Sequence, residues 1–82
     1  MNDRFIIEAK QAVTLTSSIY LTTESVYVVW FSKTLGNWKA LVSTDVAHGM
    51  YWEVTHNGNT SETYVDEYHK FSNHAVLNGE VK

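Results

Sequence analysis

The alternation of apolar and polar residues is clearest between residues 25 and 56, where it predicts three consecutive β-strands joined by short connections. The predicted strands are Val26 to Ser32, Trp38 to Thr44 and Met50 to His56. The first is apolar at every position from 26 to 31, which is typical of a central strand or one covered on both faces. The other two alternate, so each has one apolar face that needs a covering layer.

A helical period precedes these strands. Apolar residues between Phe5 and Val13 recur at helical spacing and predict a helix over residues 2 to about 17. Asn2 or Asp3 is the expected N-cap, because its side chain accepts a hydrogen bond from an unpaired backbone N–H. The Ser and Thr residues between positions 14 and 18 compete for backbone hydrogen bonds and predict that the helix ends there.

A turn signal and a second helical period follow the third strand. Asn57-Gly58 favours a type I′ turn, so residues 60 to 63 are expected to turn back along the third strand as a short fourth strand. From residue 64 onwards, the spacing of apolar and aromatic residues predicts a second helix. The residues on its stripe are Tyr64, Val65, Tyr68, Phe71, Ser72 and Ala75.

These elements predict an α+β fold in the order α-β-β-β(-β)-α. An N-terminal and a C-terminal helix pack on an antiparallel meander of three to four strands. A length of 82 residues corresponds to one small domain, 1–82. The expected core combines the inward positions of the helices and strands. It comprises Phe5, Ala9, Val13, Val28, Trp30, Ala40, Val42, Trp52, Val54, Tyr68 and Phe71.

Composition adds a prediction about the surface. Charged residues make up 18% of the chain and aromatic residues 13%, so part of the exposed surface must be neutral or apolar. Apolar surface of this kind favours a protein partner, and we also expect a homodimer. The second face of the first strand is the expected contact, together with neighbouring residues. The predicted partner-binding residues are Tyr27, Val29, Phe31, Leu41 and Tyr51.

Charge and cysteine content narrow the range of functions. The net charge is −3 with six Lys and Arg, which argues against a nucleic-acid module with a basic face. The chain contains no cysteine, which excludes disulfides and thiolate chemistry. No apolar run approaches the roughly 20 residues of a membrane span, and the first residues have no signal-peptide core. We therefore expect a cytoplasmic protein.

A small metal-dependent enzyme is one alternative to protein binding. It would use His48, His56 and Glu53, but their spacing matches no established ligand pattern. No Ser or Thr lies in a nucleophile-elbow context, and the glycines are too isolated to cradle a phosphate. We assign no catalytic residue, metal ligand or cofactor, and expect a protein that is not an enzyme.

A single-stranded nucleic-acid binder is the other alternative. It would stack bases on Trp38 and Tyr51 and contact phosphates through Lys33, Lys39 and Lys70. Such stacking platforms normally include arginines, and this chain has one.

Four segments resemble a family of small uncharacterised proteins, a domain of unknown function, encoded by phages and prophages of Gram-positive bacteria. They are the VYVVW strand, the KTL-x-N-x-KALVST hairpin, the GMYWE-VT-x-NG hairpin and the YVDEYHKF segment, within roughly residues 26 to 71. The resemblance implies expression in the cytoplasm of an infected bacterium and supplies no activity. By analogy with other accessory phage proteins, it favours a non-enzymatic binder of a host or phage protein that modulates a host process or defence.

Overall fold

The computed structural model describes residues 3–70. One helix, α1 (Asp3–Thr16), is followed by four strands: β1 (Val26–Thr34), β2 (Asn37–Thr44), β3 (Met50–Asn57) and β4 (Glu62–His69). The strands form one antiparallel sheet in the order β1-β2-β3-β4, which is a meander. The prediction of an α+β fold with an antiparallel meander and an N-terminal helix is confirmed. No helix in the described range is long and apolar enough to cross a membrane.

Helix α1 packs across all four strands and covers one face of the sheet, which we call the covered face. Ala9 and Val13 are fully buried against it, in agreement with the predicted helical stripe. The helix ends where predicted, at the run of hydroxyl side chains, and the Thr16 Oγ1 donates a hydrogen bond to the carbonyl of Ala12 at 2.8 Å.

The core lies between α1 and the covered face. Phe5 and Val28 are partly buried and pack against this core, as predicted. The predicted core residues that are fully buried are Ala9, Val13, Ala40, Val42, Trp52 and Val54. The core also contains residues that were not predicted for it, namely Leu21, Val26, Trp38 and Met50.

The predicted second helix is wrong over its first turns. Residues from Tyr64 to His69 form most of β4, which pairs with β3 from Asn57↔Glu62 to Met50↔His69. The expected fourth strand at 60 to 63 is correspondingly displaced toward the C-terminus. Tyr68, expected in the core, is 40% exposed on the other face of the sheet. The rest of the predicted helix, including Phe71, Ser72 and Ala75, lies outside the described residues.

A β-bulge in β1 reverses the predicted orientation of the side chains that follow it in this strand. The register shifts between Val28, opposite Val42, and Trp30, opposite Leu41, so Val29 is an extra residue. Because a one-residue insertion exchanges the two faces for all later side chains, Trp30 points away from α1 and is 51% exposed. Its expected core position is therefore wrong.

The β3–β4 connection also differs from the prediction. Asn57 is the last residue of β3, and a four-residue loop follows before Glu62, in place of a two-residue turn at Asn57-Gly58. Ser61, in this loop, has a positive φ of 56°. The β1–β2 turn has two residues, Leu35 and Gly36, and Leu35 also has a φ of 56°.

Candidate functional site

The face of the sheet opposite α1, which we call the open face, is rich in aromatic side chains. Its exposed aromatic residues come from β1, β3 and β4, and the half-buried Leu41 of β2 lies among them. Tyr51 and Tyr68 are directly opposite each other on β3 and β4, and their rings stack with centroids 5.0 Å apart. We define the aromatic face as Tyr27, Trp30, Leu41, Tyr51, Tyr64 and Tyr68.

Two carboxylates lie in the middle of this face. Glu53 and Asp66 are opposite each other on β3 and β4, and the Lys39 Nζ is 3.5 Å from the Glu53 Oε1. Desolvation raises the pKa of the Tyr68 phenol, and the charges of Glu53 and Asp66 raise it further. Within the described part of the chain, one lysine faces two carboxylates here, so the centre of the aromatic face is net negative.

The structure brings together three of the five predicted partner-binding residues. Tyr27, Leu41 and Tyr51 lie on the aromatic face, and Val29 is 56% exposed at the bulge. The predicted position of Phe31 on the same face as Tyr27 is wrong. The bulge places Phe31 on the covered face, where the centroid of its ring lies 5.7 Å from that of Trp38.

Sequence reasoning missed three residues of the aromatic face: Trp30, Tyr64 and Tyr68. Both tyrosines were missed because the segment from residue 64 onwards was predicted to be a helix. The alternation of Tyr64, Asp66 and Tyr68 with Val65 and Glu67 was the available signal, because it fits a strand with two different faces.

A shallow pocket of about 470 Å³, widely open to solvent, lies on the open face where the β1–β2 turn and the β3–β4 loop meet. We call it the hairpin-end pocket. Trp30 and Lys39 line it, together with small neutral side chains. Those side chains are Ser32, Thr34, Asn37, Thr55, Asn57 and Asn59. Trp38 and His56 also adjoin it, although their rings stack on the covered face with centroids 5.3 Å apart.

Among residues 3–70, the carboxylate that accepts the most hydrogen bonds is that of Glu67, on the covered face of β4. It accepts hydrogen bonds from the backbone N–H and the Oγ of Ser18, at 3.0 and 2.7 Å, and from the Trp52 Nε1 at 2.8 Å. The His69 Nε2 lies 3.1 Å from it. These bonds, led by the Ser18 backbone, lower the pKa of Glu67 to about 2.

This cluster resembles a catalytic Ser-His-Glu set only in its composition. The Ser18 hydroxyl donates to the carboxylate and not to the histidine, so the histidine does not act as a base on the serine. The Glu67 carboxylate instead ties the segment after α1 to β4 and accepts the hydrogen bond of the buried Trp52 indole.

The candidate metal ligands are not brought together. Glu53 is on the open face, His56 stacks on Trp38 on the covered face, and His48 lies in the β2–β3 connection at the opposite end of the strands. Among residues 3–70, no three His, Asp or Glu side chains are arranged to hold a metal ion.

The candidate nucleic-acid residues are also separated. Trp38 is 3% exposed, so its ring cannot stack on a base. The Lys33 Nζ lies 4.5 Å from the centroid of the Phe5 ring, and Lys39 is paired with Glu53. Of the proposed stacking pair, Tyr51 alone is accessible.

These features define a small two-layer α+β domain whose sheet has one face covered by a helix and one face rich in exposed aromatic residues. The chain belongs to a family of unknown function, DUF6275, whose model matches residues 3–78. The comparison with curated proteins gave no match, and neither did the comparison with solved structures.

Proposed function

We propose that this protein is a non-enzymatic accessory protein that binds another protein through the aromatic face. The observation that supports the proposal is the concentration of five exposed aromatic rings on one face of the sheet, between 38% and 52% exposed. None of the described residues covers this face. Tyr and Trp are enriched at interfaces because they supply large contact areas and retain a polar group that can hydrogen-bond.

The charge of the aromatic face selects the chemistry of the partner. Lys39 balances the charge of only one of the two carboxylates, Glu53 and Asp66. The remaining negative charge favours a partner surface that is apolar and carries at least one Arg or Lys. A guanidinium on such a surface would also be attracted to the tyrosine rings.

A second copy of the chain is a less favourable occupant. Two aromatic faces brought together would desolvate four acids against two lysines, and unpaired buried charge is destabilising. A homodimer is therefore an outcome that the experiment must distinguish from binding to a different protein.

Single-stranded nucleic acid is also less favourable. Phosphates would meet the net negative centre of the aromatic face, and the cations needed for phosphate contacts are dispersed or paired. Binding that weakens steeply with added salt would favour this alternative.

We further propose that the protein derives from a phage or prophage, acts in the cytoplasm of an infected bacterium and modulates a host process or defence. This setting rests on the resemblance of residues 26 to 71 alone. The stacked tyrosines and the net charge of the aromatic face support the proposed contact chemistry.

The experiment has two stages. Tagged full-length protein is used to capture partners from an infected host lysate, and each recovered protein is then purified and titrated against the wild type by calorimetry. We expect a direct complex that Tyr51→Ala weakens at least about tenfold.

Tyr20→Ala is the matched control, because Tyr20 is 86% exposed and lies in the connection after α1. This variant should bind like the wild type. Equal binding by both variants, or recovery of nucleic acid in place of protein, would contradict the proposal. A dimer detected by light scattering and abolished by Tyr51→Ala would assign the aromatic face to a second copy.

A further inference from the structure

The hairpin-end pocket lies at the far end of the open face from the stacked pair Tyr51 and Tyr68. Its volume is about 470 Å³ and it is widely open to solvent, so a ligand would lie against its wall and not inside an enclosed cavity. Trp30 provides a half-exposed aromatic wall, and hydroxyl side chains of β1 and β3 line the adjoining surface.

Two amide groups at the mouth of the pocket are held in a defined orientation. The Asn37 Oδ1 accepts a hydrogen bond from the Gly58 N–H at 2.9 Å, and the Asn57 Oδ1 accepts one from the Asn59 N–H at 2.9 Å. Because each carbonyl oxygen is engaged by the backbone, each NH₂ group remains as a donor for a ligand. Asn37 and Asn57 are neighbours, since they directly flank the paired residues Trp38 and His56.

Close backbone contact holds this end of the sheet together. The Cα of Gly58 packs so tightly against Gly36 that an added Cβ would clash with the Gly36 carbonyl oxygen, at less than van der Waals distance. The turn after β1 and the loop after β3 are thereby fixed to each other, and the donors are positioned before a ligand arrives.

Among the residues that the structure describes, the one lysine that lines the pocket already has an acidic partner. The single lysine that lines it, Lys39, has its ammonium 3.5 Å from the Glu53 carboxylate. A phosphate or carboxylate ligand would have to compete with this ion pair. Neutral amides and hydroxyls instead suit a ligand that both donates and accepts hydrogen bonds without carrying a charge.

We propose that the hairpin-end pocket binds a neutral hexopyranose unit of a saccharide. The apolar C–H face of the sugar ring would stack on the Trp30 indole. Its hydroxyls would accept hydrogen bonds from the amide groups of Asn37 and Asn57 and exchange hydrogen bonds with Ser32 and Thr55. This proposal goes beyond protein binding by the aromatic face and can fail independently of it.

The test is a titration of isotope-labelled full-length protein, followed by NMR. The probes are glucose, galactose, mannose, N-acetylglucosamine and N-acetylgalactosamine, each added to about 50 mM in order to detect dissociation constants in the roughly millimolar range. We expect at least one sugar to cause saturable shifts in the Trp30 indole N–H and in the side-chain amides of Asn37 and Asn57.

Asn57→Asp is the sharpest variant, because it removes the NH₂ donor and keeps an oxygen to accept the Asn59 N–H. It should weaken sugar binding at least about tenfold, and Trp30→Ala should do the same. Tyr51→Ala is the matched control, since Tyr51 is on the aromatic face outside the pocket, and it should bind the sugar like the wild type. Preserved signal dispersion in the spectra confirms that each variant is folded.

Three results would overturn the proposal. They are the absence of a saturable shift with every sugar, sugar binding that Asn57→Asp and Trp30→Ala leave unchanged, and saturation of the same signals by uridine while all sugars are inert. The last result would identify a planar base as the ligand. None of them bears on the protein complex that Tyr51→Ala tests.

Discussion

The two faces of one sheet contain similar aromatic residues that occupy opposite environments. Trp52 on the covered face is fully buried and donates its indole hydrogen bond to Glu67, whereas Trp30 on the open face is 51% exposed. The two side chains belong to the same small sheet and differ in the layer that covers them. Aromatic content alone therefore does not measure the core of this domain, because a substantial share of the aromatic side chains is exposed.

The two tryptophans should differ most in their contribution to the free energy of unfolding. Trp52→Ala removes a fully buried ring and its hydrogen bond, so it should lower the free energy of unfolding by about 3–5 kcal/mol. Trp30→Ala removes a ring that is half exposed and should cost less than about 1.5 kcal/mol. Denaturant unfolding measures the free energy of unfolding of both variants. Equal losses would contradict the assignment of Trp52 to the core and of Trp30 to an exposed face.

The sequence predicts the helix α1, the meander and most of the core correctly, because α1, β2 and β3 have regular periods with one apolar side. It fails for β4 for a specific reason. Tyr64 and Tyr68 are four residues apart, a spacing that places them on one face of a helix and also on one face of a strand. Pairing with β3 decides between the two, and pairing is not encoded locally.

The facing of Trp30 and Phe31 could not be predicted for a different reason. The run from Val26 to Phe31 is entirely apolar, so the bulge that exchanges the faces leaves no break in the alternation. The hydrogen-bond partners of the Glu67 carboxylate could not be predicted either, because Ser18 is 49 positions away in the chain. The candidate site was therefore predicted in part, through Tyr27, Leu41 and Tyr51.

A second effect concerns the contact between the two hairpins. Gly58→Ala forces a methyl group against the Gly36 backbone and should cost about 1–3 kcal/mol. Gly36→Ala is the matched control, because its added Cβ would lie at an ordinary 3.6 Å from the Gly58 Cα. Thermal unfolding should rank the two variants in this order, and the reverse order would mean that the hairpin ends are not packed as described.

A third effect is a dependence of stability on pH. The pKa of Glu67 falls from 4.5 to about 2 on folding, so its carboxylate stabilises the folded state fully above pH 4.5. This contribution declines as the pH falls from 4.5 towards about 2. Its side chain is 23% exposed, and screening by solvent reduces the contribution to about 1–2 kcal/mol.

Glu67→Gln should remove this contribution at neutral pH and flatten the decline in stability at acidic pH. Glu53→Gln, on the open face, is the matched control and should leave the decline in place. Urea unfolding measured between neutral pH and about pH 2.5 gives both quantities. A wild-type profile that Glu67→Gln does not change would contradict the assigned hydrogen bonds.

The double variant Tyr51→Ala/Tyr68→Ala distinguishes an aromatic face that binds a partner from one that is an outlying part of the core. It removes the stacked pair that β3 and β4 contribute to the aromatic face. Unfolding and calorimetric binding to the purified partner are measured on the same sample. We expect a stability loss of about 2 kcal/mol, smaller than that of Trp52→Ala, together with binding at least about tenfold weaker. Unchanged affinity, or a stability loss comparable to that of Trp52→Ala, would contradict the proposal that this face binds a partner.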